Sequence, residues 1–295
     1  MVFLNDRFVP KTEAVVSVFD HGFLYGDGIY ETLRAYDGVV FRLDEHIERL
    51  FRSASFIGID IPKGIDEIKS LIYESLIANR LRNAYIRITI SRGTGPIGLD
   101  PDLCLQPTFV IITEPFKQYP GSYYKNGVRA IVSSVRRNAK ESLNPKIKSL
   151  NFLNNILAKI EAKKNEAYEA IMLSVEGYLA EGTITNIFFI KDNTLFTPST
   201  DVGILDGITR AIIIGLAIRS GMRVMEGRFS LEDLYSADEV FISNTTMELM
   251  PVREVDNKSF KVGIKTKGLH KLYAEEVKAY IRITKEQGPS IWDYD

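Results

Sequence analysis

Cysteine is almost missing from this chain. Cys104 is the only one among 295 residues, which excludes an intrachain disulfide framework or a zinc centre built from several cysteines, and suits a reducing compartment. Excess charge is missing as well. With 37 Lys and Arg against 38 Asp and Glu, the formal net charge is −1, so there is neither a basic footprint for nucleic acid nor an acidic tail. No apolar run approaches membrane-spanning length, and Asp6 and Arg7 interrupt the N-terminal stretch too early for a signal peptide. Repeats and low-complexity tracts are absent too. A soluble, cytoplasmic protein is expected, with small molecules as partners and no nucleic acid, membrane or metal.

The length suggests two domains. Periodicity gives way to proline, glycine and tyrosine after Glu114, which places a linker at 119–127 between a small N-terminal domain, 1–118, and a larger one, 128–295. Val2 to Val9 reads as a hairpin turning at Asn5-Asp6. The strand Ile29 to Tyr36 alternates, with Ile29, Leu33 and Ala35 on one face and Tyr30, Thr32, Arg34 and Tyr36 on the other. Tyr85 to Ser91 repeats the pattern: Ile86, Ile88 and Ile90 oppose Tyr85, Arg87, Thr89 and Ser91. Asp44 can cap a helix from Glu45 to about Phe56, buried through Ile47, Leu50, Phe51 and Ala54, with Arg49 opposite that stripe. Later strands near 128–135, 169–174, 178–181, 187–190, 195–197 and 239–243 mix with helices from near Thr209 and from Lys267, without strict βαβ alternation. The class is α+β.

Several residues could carry chemistry. Leu153, Ile156, Leu157 and Ile160 repeat at helical spacing, so a helix burying that face is expected to begin just after Lys148. Lys148 is either a solvated lysine or an amine that forms a Schiff base with an aldehyde cofactor and then moves a proton. Glu181, ending a strand, is either a surface carboxylate or the partner of a protonated ring nitrogen. The amides of Ile208 and Thr209 open a helix and offer an anion site aligned with its dipole; Thr245 and Arg49 can add contacts. Arg34 and Arg87, at the centre of tyrosine-bearing polar faces, suit either structural ion pairs or a substrate carboxylate.

Lys148-Ser149-Leu150-Asn151, Glu181-Gly182-Thr183-Ile184-Thr185-Asn186 and Leu205-Asp206-Gly207-Ile208-Thr209-Arg210 together resemble the fold-type IV pyridoxal-phosphate enzymes. These are the branched-chain aminotransferases, D-amino acid aminotransferases and aminodeoxychorismate lyases. The resemblance implies a small N-terminal α/β domain and a larger C-terminal domain with a β-barrel-like core flanked by helices, assembled as a homodimer or higher oligomer. It makes Lys148 the cofactor's lysine and Glu181 the partner of the pyridine nitrogen. Arg49, Ile208, Thr209 and Thr245 become phosphate contacts, and Leu205 packs on the ring. Tyr30, Arg34, Tyr85, Arg87 and the amides of Thr246 and Met247 fall on the substrate side. The implied reaction is ping-pong transamination between a branched-chain L-amino acid (leucine, isoleucine or valine) and a 2-oxo acid such as 2-oxoglutarate. A D-amino acid aminotransferase or a 4-amino-4-deoxychorismate lyase is the alternative, because Tyr30-Glu31-Thr32-Leu33-Arg34 departs from the usual branched-chain Phe-Glu-Gly-Ile-Arg. Phe152 also stands where those enzymes usually have tyrosine, so a hydroxyl expected near the cofactor is missing.

Overall fold

The computed structural model describes residues 1–286. Two compact units emerge, and they are not simply the two ends of the sequence. The first takes the chain to Lys117, then Ile147–Phe152 and the C-terminal helix from Val277; the second takes Gln118–Lys146 and Leu153–Glu276.

The first unit is built on six antiparallel strands. These are β1 (Val2–Leu4), β2 (Arg7–Val9), β3 (Gly28–Tyr36), β4 (Val39–Val40), β5 (Ala84–Ser91) and β6 (Thr108–Pro115), ordered β2-β1-β6-β5-β3-β4. The period-2 pattern decides which face is wet. Ile29, Leu33, Ile86, Ile88 and Ile90 are fully buried, whereas Tyr85, Arg87 and Thr89 are half-buried on the other side. After the short α1 (His21–Tyr25), helices α2 (Leu43–Phe56) and α3 (Ile65–Ala78) cover the apolar face through Ile47, Leu50, Ala54, Ile68, Ile72 and Leu76. Each such aliphatic side chain contributes about 1.5–3 kcal/mol by leaving water. Helix α2 starts earlier than Asp44: Arg42 occupies the N-cap with a left-handed backbone and no side-chain cap, and Asp44 instead pairs with Lys69.

The segment Ile147–Phe152 belongs here because it runs antiparallel beside β3. Tyr30 N donates to Lys148 O and Leu150 N to Gly28 O, both at 2.9 Å, around an Ile29–Ser149 bridge. Gly28 makes this approach possible. A Cβ there would lie 2.5 Å from Ile90 O and 2.7 Å from Leu150 Cδ1.

In the second unit, α4 (Gly121–Asn126) occupies the expected linker. Strands β7 (Val128–Val132), β8 (Glu169–Leu173), β9 (Leu179–Gly182), β10 (Asn186–Lys191), β11 (Thr194–Pro198), β12 (Arg223–Gly227), β13 (Glu239–Asn244), β14 (Glu248–Val255) and β15 (Lys258–Ser259) form one sheet. It closes on itself. The circuit β10-β13-β14-β7-β8-β9 returns to β10 through the Asn186–Glu181 pairing, giving a six-stranded mixed barrel, parallel only at β14–β7 and β7–β8. Its strands are buried on both sides: Ile171, Leu173, Ile187 and Phe189 join one core, while Ala170 and Met172 pack with α5 (Leu153–Lys164). Helices α6 (Ile208–Arg219), α7 (Leu231–Tyr235) and α8 (Ile264–Glu286) complete the elements. Among the described residues no helix is long and apolar enough to cross a membrane.

Helix α5 overturns one expectation. It begins at Leu153, not just after Lys148, and buries Asn155, Ala158 and Ala162. Leu153, Ile156, Leu157 and Ile160 are 44–67% exposed. Small alanines let the helix lie close to β8, and that close approach turns the large apolar side chains outward.

Candidate active site

In the first unit the candidate side chains gather around Tyr30. Lys148 is half-buried on its strand-like segment, its N–H reaching Ser53 Oγ at 3.4 Å, so the backbone on both sides of the amine is fixed. Lys148 Nζ donates to Tyr30 Oη at 3.3 Å and stands 4.4 Å from the centre of that ring. The Arg87 guanidinium stacks on the same ring at 4.0 Å, with its Nε donating to Thr89 Oγ1. Phe152 meets it edge-on at 5.4 Å. Burial raises the Tyr30 pKa well above the usual phenol range, and the charge of Arg87 only partly opposes this, so the hydroxyl stays neutral. The β3–β5 register sets Thr32 opposite Arg87 and Arg34 opposite Tyr85. Arg34 is differently engaged, its guanidinium lying 4.1 Å from the Tyr36 ring and 3.7 Å from Phe116.

Behind this face lies a buried ionic cluster that the sequence reading missed. Glu31 is fully buried on the same side of β3 as Ile29 and Leu33. Arg49 grips it with two parallel bonds, Nε to Oε1 at 2.6 Å and Nη2 to Oε2 at 2.9 Å, and His46 Nδ1 lies 2.8 Å from Oε2. Burial alone would raise the Glu31 pKa, but the charge of Arg49 and the bonds from His46 and Arg49 hold it far below the usual carboxylate range. Burial lowers the His46 pKa despite the pull of Glu31, so the ring is neutral and its Nδ1–H donates. Arg49 therefore faces the core, 5% exposed, not the side opposite the apolar stripe as expected. A carboxylate in register with the buried residues of β3 is the signal that could have revealed this.

The second unit builds a different set. Glu181, on β9, accepts from Arg137 Nε at 2.7 Å through Oε1 and from Leu205 N at 3.1 Å through Oε2. Arg137 is steadied by Asn154 Oδ1 at 3.1 Å. The turn after Glu181 is fastened by buried Glu169, which accepts from Thr183 N and Oγ1 and from Thr185 Oγ1 at 2.6–3.1 Å. Asn186 Nδ2 holds Leu205 O at 3.0 Å, so the segment entering α6 is pinned at both polar atoms of Leu205. Gly207 is the N-cap of α6 and provides no side-chain acceptor for the first-turn amides; Ile208 follows it, and Thr209 is buried. Thr245 is half-buried in the β13–β14 turn. The amides of Thr246 and Met247 already donate to Asn244 Oδ1, at 3.0 and 2.8 Å. Arg137, Glu169, Asn186 and Asn244 carried no sequence signal of these roles, since each acts through a contact made only on folding.

The family model for amino-transferase class IV matches residues 28–255. That span includes both sets of side chains. The chain belongs to the class IV aminotransferases.

A provisionally named branched-chain-amino-acid aminotransferase of Methanocaldococcus jannaschii is 48% identical over 257 residues, covering 87% of this chain and 88% of that one. An aminodeoxychorismate lyase of Bacillus subtilis is 36% identical over 99% of each chain, and a D-alanine aminotransferase of Bacillus licheniformis is 36% identical over 89% of this chain and 90% of that one. Among solved structures, the branched-chain aminotransferase of Escherichia coli has a TM-score of 0.90 at 35% identity, covering 93% of each chain. A T.th. branched-chain aminotransferase with pyridoxamine 5'-phosphate has a TM-score of 0.89 at 33% identity over 93% of this chain and 92% of that one. This class IV member thus has the fold of the branched-chain aminotransferases: an N-terminal antiparallel sheet and a six-stranded mixed barrel. The family depends on pyridoxal phosphate.

Proposed function

We propose that this chain is a pyridoxal-phosphate transaminase moving an amino group from a branched-chain L-amino acid to a 2-oxo acid such as 2-oxoglutarate by ping-pong turnover, as a cytoplasmic homodimer. The observation that carries the reading is Lys148, a half-buried amine on a segment strapped to β3, beside a phenol that a guanidinium clamps in turn. The 48% identity to a branched-chain relative supports the substrate class.

The residues present fit the cofactor. A fixed amine can take an aldehyde, Glu181 presents a carboxylate already held by two donors, and α6 opens on amides that its N-cap side chain does not use. When bound, pyridoxal phosphate supplies an aldehyde that captures amino groups and a ring that accepts the electrons of the substrate's Cα–H bond. In this reading Lys148 Nζ would hold the cofactor through its aldehyde and would carry the proton. Glu181 favours a protonated pyridine nitrogen, with Arg137 keeping the acid oriented. Ile208, Thr209 and Thr245 would hold the phosphate, Arg49 would join them only through the guanidinium nitrogen not bonded to Glu31, and Leu205 would pack on the ring. Tyr30, Tyr85, Arg87 and Arg34 line the substrate side. Arg87 is favoured for the carboxylate, because two rings already sandwich Arg34. For Thr246 and Met247 to hold substrate through their amides, Asn244 must first release them.

Adding L-leucine to the loaded protein should shift its visible band to shorter wavelength and yield a 2-oxo acid, and 2-oxoglutarate should restore the band. The full-length likeness to an aminodeoxychorismate lyase supports a second reading. Pyruvate release from aminodeoxychorismate, with no spectral response to L-leucine, would favour that reading over ours. A response confined to D-amino acids would place the chain with the D-alanine enzymes.

A further inference from the structure

Phe152 carries no hydroxyl, yet the ring beside it does. Tyr30 meets Phe152 edge-on at 5.4 Å and sets its Oη 3.3 Å from Lys148 Nζ. The phenol is held from two directions. Its backbone N–H is bonded to Lys148 O at 2.9 Å, and its ring is clamped by the Arg87 guanidinium at 4.0 Å. Only 5% of the residue is exposed, so water does not compete freely for the hydroxyl.

We propose that Tyr30 is a catalytic residue whose hydroxyl orients the Lys148 amine and follows it through both protonation states. The inference rests on the reading of Lys148 as the proton-carrying amine. When Nζ is neutral, the phenol O–H donates to its lone pair; when Nζ takes the proton from the substrate carbon, the ammonium donates to Oη. One proton moves, from carbon to nitrogen and later back to carbon, and the phenol neither gains nor loses one. Burial supports this, since it keeps Tyr30 neutral throughout the working pH range. A hydrogen bond to a charged group is about twice as strong as one between neutral groups, so the hydroxyl favours the ammonium form of Lys148.

The test is the isosteric Tyr30→Phe variant, which removes one oxygen and leaves the ring under Arg87. In cofactor-free protein, the pH dependence of Lys148 reductive methylation by formaldehyde and cyanoborohydride, read by peptide mass spectrometry, reports the amine's pKa. We expect that pKa to fall by about one unit. In the loaded enzyme, kcat should fall at least about tenfold while KM for the amino acid changes little, and the isotope effect from Cα-deuterated substrate should rise. An unchanged amine pKa overturns the proposal whatever turnover does, and a rise in KM at constant kcat would make Tyr30 a substrate contact only. Should Tyr30→Phe fail to fold, 3-fluorotyrosine at position 30, a weaker acceptor and stronger donor, should move the pKa in the same direction by less; no movement there overturns the proposal equally. Failure of Lys148 to take up pyridoxal phosphate would instead defeat the functional reading, and the amine titration is measurable either way.

Discussion

Replacing Glu31 with leucine should loosen the first unit far more than replacing Glu31 and Arg49 together. The carboxylate is 0% exposed and accepts four bonds, two from an arginine that is itself 5% exposed and one each from His46 and the Thr32 amide. Glu31→Leu leaves a buried guanidinium without its counter-charge, which costs roughly 3–5 kcal/mol. In Glu31→Leu with Arg49→Met, the charge is gone from both sides and apolar side chains fill similar volume. What remains is His46 Nδ1–H without that acceptor and the long Thr32 N–H bond lost with it, together a cost of about 1–2 kcal/mol. Hydrogen exchange of peptides from α2 and β3, followed by mass spectrometry, reads this locally. The single variant should exchange about a hundredfold to a few thousandfold faster than the parent, and the double only about tenfold faster. The pH dependence carries the same signature. Folding lowers the Glu31 pKa, so its stabilisation is complete above its ordinary value of 4.5 and drains away as pH falls toward the folded-state value. A single variant exchanging less than tenfold faster, or a double as labile as the two singles summed, would refute the account of this cluster.

Arg34→Met should cost the fold about 1–2 kcal/mol, because the guanidinium loses its stacking on Tyr36 and Phe116, and should leave KM within about twofold. A tenfold rise in KM would make Arg34 the carboxylate's partner instead of Arg87. Gly207→Ala puts a Cβ 2.1 Å from Asn186 Oδ1, so Asn186 must release Leu205 O; pyridoxal-phosphate affinity, followed by absorbance titration, should drop about tenfold. Unchanged affinity would show that the α6 entrance does not depend on that contact. Glu181→Gln removes the charge facing Arg137, and kcat should fall at least about tenfold with the cofactor still bound. An undiminished kcat would remove Glu181 from the ring-nitrogen role.

The sheet of the first unit was legible because alternation is a local property: Ile86, Ile88 and Ile90 had to share a face, and that face is the core. The same logic fell short at Glu31, where the pattern demanded burial and the charge argued against it. Only Arg49 and His46, fifteen or more residues away, reconcile the two. Helix α5 shows the opposite failure. Its apolar stripe was plain, but periodicity says which residues lie together and not what they meet, and Ala158 and Ala162 took the core side. The first unit runs to Lys117 and then takes Ile147–Phe152, and no local signal marked that segment as an added strand-like partner of β3. Lys148 and Glu181 stood out as candidates only through the combination of three segments. Arg137, Glu169 and Asn244, which hold such residues in place, announce themselves only through distances.

The central claim is a covalent one, and a single mapping experiment addresses it. The purified protein is loaded with pyridoxal phosphate, reduced with borohydride, digested and analysed by mass spectrometry. A phosphopyridoxyl group on the Lys148 peptide, absent from the Lys148→Ala protein, is the predicted result. No label, or a label on another lysine with Lys148 unmodified, would contradict the account.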